Sequence, residues 1–175
     1  MSDFGDKGEL QSLVDVGDNS ARDNILSFEE LLKNVDGSVQ GDSDICPLKH
    51  SFSENIYVRE ISIPKGMFIV GKIHKHEHPN FLLKGDVVVF TENDGEEHLS
   101  APCSMISKGG TKRALYSKTD LVWTTVHHNP TNTRDLNELE KLVIADSYGA
   151  YEKYLHSTKS IGSKIKNLII KTLSK

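Results

Sequence analysis

The chain has 175 residues, 37% of them hydrophobic and 26% charged, with a formal net charge of −4. That balance suits one globular domain with extensions, and an acidic chain without a basic, aromatic-studded face excludes a nucleic-acid reading. Two cysteines, Cys46 and Cys103, are too few for a secreted disulfide scaffold, and no apolar run reaches the ~20 residues of a membrane helix.

The opening residues MSDFGDKGE lack the basic and apolar regions of a signal peptide. Synthesis in a reducing cytoplasm with both thiols free is the expectation. Charge is unevenly placed: residues 1–45 hold eleven acidic and three basic side chains, whereas residues 153–175 hold six lysines and no acid. Ends of opposite charge suit self-association or separate partners.

Residues 1–45 read as an acidic, mostly extended arm, because Gly, Asp, Ser and Asn dominate and apolar residues are sparse. One island, SFEELLK at 27–33, fits a two-turn helix. Ser27 and Glu30 form a capping box, and Phe28, Leu31 and Leu32 share a side. So short a helix orders only against another surface, and disorder is the simpler expectation.

Residues 46–130 change to strand, turn, strand. IYVREISI at 56–63 alternates and is rich in β-branched residues, and PKG at 64–66 turns the chain. MFIVGKIH at 67–74 is a second strand, apolar on both faces at its start and therefore buried. The histidine-rich HKHEHPN at 74–80 leads into FLL, which Gly85 and Asp86 interrupt. VVVFT at 87–91 enters a hairpin turn at Asn93-Asp-Gly95. Shorter strands at 103–106 and 113–116 precede LVWTTVH at 121–127, the clearest strand of all. Such spacing, punctuated by Gly, Asp and Pro, argues for a closed antiparallel barrel or jelly roll.

Past Pro130 the period becomes helical, so residues 131–155 read as packing helices. Asp135 and Glu138 form another capping box, and Leu136, Leu139, Leu142 and Val143 share one face. A second short helix is expected over 147–155. Residues 156–175, with Ile161, Ile165, Leu168, Ile169 and Leu173 between lysines, read as a basic amphipathic tail helix; its short apolar face without an aromatic anchor favours docking on a partner or on its own barrel over an anionic membrane surface.

The order of these elements resembles the cupin superfamily, and more closely cupin-like proteins encoded by bacteriophages. The residues that carry the resemblance are Cys46-Pro-Leu-Lys-His50, Tyr57-Val-Arg-Glu60, Ile63-Pro-Lys-Gly66, Gly71-Lys-Ile-His74, His78-x-Asn80 and Lys84-Gly-Asp86. They continue through Ala101-Pro102, Ser107-x-Gly109, Gly110-Thr-Lys-Arg113 and Val122-Trp-Thr-Thr125, so about residues 46–155 are covered. The resemblance implies a mainly β fold: a small antiparallel double-stranded β-helix with C-terminal helices and an extended N-terminal arm. It also implies a homo-oligomer with other phage structural proteins as partners, made in the host cytoplasm and incorporated in a virion.

The metal-binding cupin pattern asks for His-x-His, a Glu, a Gly seven residues beyond it, and a later His. Anchored on Gly85, it places His78 at the Glu, His74 at the second histidine and Lys72 at the first. The later histidine falls on Lys112. A lysine ammonium cannot ligate without losing its proton, which argues against a resident metal. Two geometries are open for the stretch. If a hairpin turns around residues 75–77, His74 and His78 face each other inside the barrel with His76 at the tip, and Pro79 favours this. If the strand runs straight, all three histidines share one face.

The first functional reading is therefore a non-enzymatic structural or binding protein, a phage virion or assembly component. The alternative is a metal-dependent cupin enzyme in which His74 and His78, completed by His50 or His127, hold a divalent transition metal such as Zn, Ni or Fe. Odd positions of 121–127 share a face, which turns His127 inward with Trp123 and Thr125. A third reading gives Lys112 and Arg113 to a carboxylate or phosphate in the barrel mouth, against a simple solvated turn. Cys46 and His50, without a second Cys/His pair nearby, are read as packing of the first strand.

Overall fold

The computed structural model describes residues 21–39 and 42–173, the stretch 161–173 as backbone only. Helix α1 (Ala21–Lys33) precedes ten short strands: β1 (Leu48–Ser53), β2 (Ile56–Ile63), β3 (Phe68–Val70), β4 (Ile73–His74), β5 (His78–Lys84), β6 (Asp86–Thr91), β7 (Gly95–Ser100), β8 (Cys103–Ser107), β9 (Arg113–Ser117) and β10 (Leu121–His128). Helix α2 (Leu136–Val143), the two-residue strand β11 (Ile144–Ala145) and helix α3 (Tyr148–Leu173) follow.

Two antiparallel sheets, ordered β1-β2-β10-β5-β8 and β3-β9-β6-β7, contribute side chains to one core. Ile63, Leu82, Leu121 and Trp123 come from the first sheet, and Val87, Val89 and Leu115 from the second. The fold is thus mainly β, the small double-stranded β-helix or jelly-roll barrel expected from the sequence, with helices after the last long strand. Cys46 is 4% exposed within that core, as its packing role predicts, and both cysteines are free thiols. Among the described residues no helix is long and apolar enough to cross a membrane.

Register across the first sheet organises its inner face in rows. Leu48, Ile61, Trp123 and Leu82 lie opposite one another, and two residues along each strand so do His50, Arg59, Thr125 and Asn80. One step further, Tyr57 lies opposite His127, and His78 sits two residues beyond Asn80. Because side chains alternate with period two, a strand that carries apolar residues inward at one end and polar ones at the other builds a graded wall. Here the grade runs from apolar floor through a polar row to a histidine mouth.

Several local expectations are corrected. Residues 67–74 are not one strand: β3 pairs with β9, the chain turns at Gly71 and Lys72, and β4 pairs with β11. The Gly71 amide donates to the Arg113 carbonyl at 2.8 Å as the strand leaves its sheet. The helix near the start contains Ser27 in its interior, already helical from Ala21, so Ser27 is no cap. Ile25, 2% exposed, is its anchor, and Phe28 meets Phe68 edge-on at 5.7 Å. Helix α3 runs unbroken from Tyr148 to Leu173, where sequence periodicity suggested two helices. The side chains at 161–173, on which the amphipathic-tail expectation rests, residues 174–175 and the arm at 1–20 lie outside the described residues.

In α2, Asp135 is the N-cap and accepts from the Asn137 and Glu138 amides, as its spacing predicts, but the box does not close, because Glu138 accepts from the Thr133 hydroxyl and the Asp135 amide donates to Thr133. Leu139 and Val143 are buried, while Leu136 faces outward at 45% exposure. Two glycines fix close approaches. Gly85 has φ +91°, and a Cβ there would strike the Asp120 carbonyl; Gly110 has φ +85°, and a Cβ there would enter the Tyr151 ring of α3.

Candidate functional site

Three histidines converge at the barrel mouth from three strands. His74 ends β4, where its carbonyl accepts from the Gly110 amide at 2.8 Å and the next amide, Lys75, donates to the Val143 carbonyl at 2.7 Å. His78 opens β5 opposite Ser107, and His127 lies near the end of β10. Ring centroids are 4.2 Å apart for His74 and His78, 4.7 Å for His78 and His127, and 5.0 Å for His74 and His127. The turn at 75–77 does bring His74 and His78 together inside, but not as a β-hairpin, since β4 pairs with β11 and β5 with β8 and β10. His76 is exposed and lies edge-on to Tyr154 at 5.6 Å.

The hydrogen bonds fix one tautomer. His78 Nδ1 lies 3.0 Å from the His76 carbonyl, which can only accept, so Nδ1 carries the proton and Nε2 keeps its lone pair. That Nε2 is buried and among the described residues has no hydrogen-bond partner. His127 Nε2 lies 3.0 Å from the Thr125 hydroxyl. Burial is the main cause that holds the imidazoles neutral. It lowers His74 to about 2, helped by His78, His127, Arg113 and Arg59, and lowers His127 to about 3, helped by His78 and Arg59. His78 is also lowered chiefly by burial, against the opposing bond to the His76 carbonyl.

Neutral imidazole is the form that ligates transition metals. One candidate nitrogen from each ring lies within 4.8 Å of the others. Tetrahedral Zn–N bonds of about 2.0–2.1 Å place ligand nitrogens about 3.3 Å apart, so side-chain adjustments of roughly an ångström complete the fit. The donor set and the unpartnered Nε2 both suit a metal.

The remaining sequence candidates fall elsewhere. His50 lines the same cavity, but its Nδ1 is 2.8 Å from the Tyr57 hydroxyl and it is not part of the three-histidine cluster. Lys72 pairs with Glu140 of α2 on the cavity rim, and Lys112, 7% exposed, pairs with Glu29 of α1 at 2.9 Å. Lys72 and Lys112 therefore both have carboxylate partners, which meets the charge objection drawn from the sequence. Lys112 is also no solvated turn residue. Arg113 reaches inward from β9, donates to Asn80 Oδ1 at 3.1 Å and to Ser107 Oγ, and lies over the Trp123 ring at 5.4 Å.

Sequence reasoning turned Asn80 inward but missed its role. Its side chain donates to the His78 carbonyl at 3.1 Å and to Ser107 Oγ at 2.8 Å, and accepts from Arg113 and from the Trp123 indole at 3.0 Å. All four amide valences are used, so Asn80 locks the row beneath the histidines. Arg59 was missed as a site residue. Its signal was there: a charge on the same face of β2 as Tyr57, Ile61 and Ile63.

A jelly-roll barrel with a three-histidine mouth is the class that fold and site define. Similar backbones occur in a cupin-family protein with a double-stranded β-helix fold from Methanocaldococcus jannaschii (14% identity, 57% of this chain and 92% of that chain, TM-score 0.42). They occur also in KdgF from a Halomonas species (12%, 56% and 90%, TM-score 0.45) and in ectoine synthase from P. lautus (12%, 62% and 81%, TM-score 0.47). One of these neighbours is named as a cupin-family protein, and what each binds or makes is its own property. No protein-family model and no curated protein matches the sequence.

Proposed function

We propose that this barrel is a metal-binding module that holds a divalent transition metal through His74, His78 and His127. The observation that carries the reading is the bare, buried and unpartnered Nε2 of His78, which lies among two further neutral imidazoles. A buried polar atom without a partner costs stability, and a metal ion would use that lone pair. Three protein nitrogens also leave coordination positions for an outside ligand.

Binding is favoured over turnover because Tyr57 and Glu140, acid–base groups that line the same cavity, are engaged. The Tyr57 hydroxyl is held by His50 and burial raises its pKa, while Glu140 is paired with Lys72. Metal analysis of tag-free protein expressed in metal-replete medium tests the proposal. One equivalent of a transition metal, lost in a His74→Ala/His78→Ala double variant, supports it; metal-free protein overturns it. The narrower expectation of a phage virion component is a separate proposal that rests on the sequence resemblance alone. Co-sedimentation with purified particles is its test.

A further inference from the structure

His74 and His127 line a cavity of about 220 Å³ whose wall also includes Arg59, Tyr57 and His50 from the first sheet and Leu139, Val143 and Ile144 from α2 and β11. Arg59 points into it from β2, between His50 and Thr125. Its Nε is shielded from solvent and has no partner, and among the described residues its guanidinium makes no hydrogen bond or ion pair. Arg59 is half-buried, and the shielded part of its guanidinium loses hydration at a cost that structures normally offset with a carboxylate or with several acceptors.

The other cations nearby do not share this condition. Lys72 has Glu140, Lys112 has Glu29, and Arg113 has Asn80 and Ser107. The acids of the cavity wall are engaged as well: Glu140 with Lys72, and Asp42 as acceptor from the Leu48 amide at 3.0 Å. Among the described residues the cavity thus combines one unused planar fork of donors with apolar lining from α2 and β11.

We infer that Arg59 anchors a small organic carboxylate in this cavity, with the carboxylate on the guanidinium and the hydrocarbon part against Leu139, Val143 and Ile144. The fork of an arginine matches a carboxylate in two parallel hydrogen bonds. The volume lies below the ~300–1,000 Å³ typical of drug-sized sites, which limits the ligand to a few carbons. The apolar wall selects an organic acid over inorganic phosphate. The inference rests on the metal proposal only for tighter binding, since a metal on the histidines would attract the same anion; the Arg59 contact stands without it.

The test is calorimetric titration of propionate, and separately of inorganic phosphate, into the full chain after chelation and again after loading with one equivalent of Ni²⁺. Propionate is expected to bind both forms, more tightly with Ni²⁺. Arg59→Gln should weaken propionate binding at least tenfold in both forms while Ni²⁺ uptake stays one to one. Arg59→Lys, which keeps the charge and loses the fork, should weaken it at least threefold; it decides the matter if the glutamine variant does not fold. The inference is overturned if neither form binds propionate, if phosphate binds and propionate does not, or if both variants bind as the parent does. A chain that takes up no Ni²⁺ overturns the metal proposal, and the chelated arm still decides Arg59.

Discussion

Strands β2, β5 and β10 each carry Ile61, Leu82 or Trp123 at the barrel floor and Arg59, His78 or His127 toward the mouth, within four residues along the same strand. The floor is a continuous apolar cluster in which Leu82 is 0% and Trp123 4% exposed. The mouth is equally hidden in places, with His78 2% and His127 5% exposed, yet among the described residues it holds a buried imidazole nitrogen and a buried guanidinium nitrogen without partners. Burial at the floor stabilises the fold, whereas burial at the mouth stores unmet bonding capacity. The two regions should therefore respond to mutation in opposite directions.

The largest effect is expected at the floor. Leu82→Ala should lower unfolding free energy by about 2–5 kcal/mol, since it removes a fully buried side chain. Denaturant titration measures the loss, and the fraction still folded should keep its metal stoichiometry. At the arm, Glu29→Gln leaves the Lys112 ammonium without its partner. Breaking a buried pair costs about 3–5 kcal/mol, and with Glu29 a quarter exposed we expect about 2 kcal/mol. A Glu29→Gln/Lys112→Met double variant should recover most of it, which a double-mutant cycle reads directly.

Acid should act on the mouth. In the unfolded chain histidine titrates near 6.5, but in the fold burial holds His74 at about 2 and His127 at about 3. Between those values the unfolded chain binds more protons, so stability of the metal-free protein is fullest above pH 6.5 and falls as pH drops. The slope is on the order of 1 kcal/mol per pH unit for each histidine. Melting temperatures from pH 7 to 4 should show it, and a His74→Gln/His127→Gln variant should flatten it. The smallest effect has the opposite sign. His78→Leu removes the unpartnered nitrogen and should leave the metal-free protein as stable or about 1 kcal/mol more stable, while it abolishes metal uptake. A His78→Leu protein clearly less stable than its parent would show that the mouth is built for packing, as the floor is.

Much of this contrast was legible in the sequence because period-two alternation is a local property. It turned His127 and Trp123 inward from residues 121–127 alone, whereas Asn80 was turned inward only with the turn at 75–77 and the spacing of the resemblance. What was hidden is non-local. Nothing near Lys112 announces that Glu29, far away in the chain, will neutralise it, so a buried ion pair looked like a solvated turn. The division of residues 67–74 between two sheets depends on the late strand β11, which offers β4 its partner. The helix island at 27–33 looked too short to order because Ile25 lies outside it, and Ile25 finds its burial only in the assembled fold. Arg59 stayed unread for a different reason: a charge on an inward face can mean misjudged register or a site, and only the register itself decides.

The Asn80 amide has one more consequence. The chain contains a single tryptophan, and its indole N–H is bonded to the same amide that donates to the His78 carbonyl. Indole emission is sensitive to hydrogen bonding and to the nearby Arg113 guanidinium, so the molecule contains an optical probe two bonds of a hydrogen-bond chain away from a candidate ligand. Any event that moves His78 shifts the partner of the one fluorophore, and the state of the mouth can be followed by light without a label.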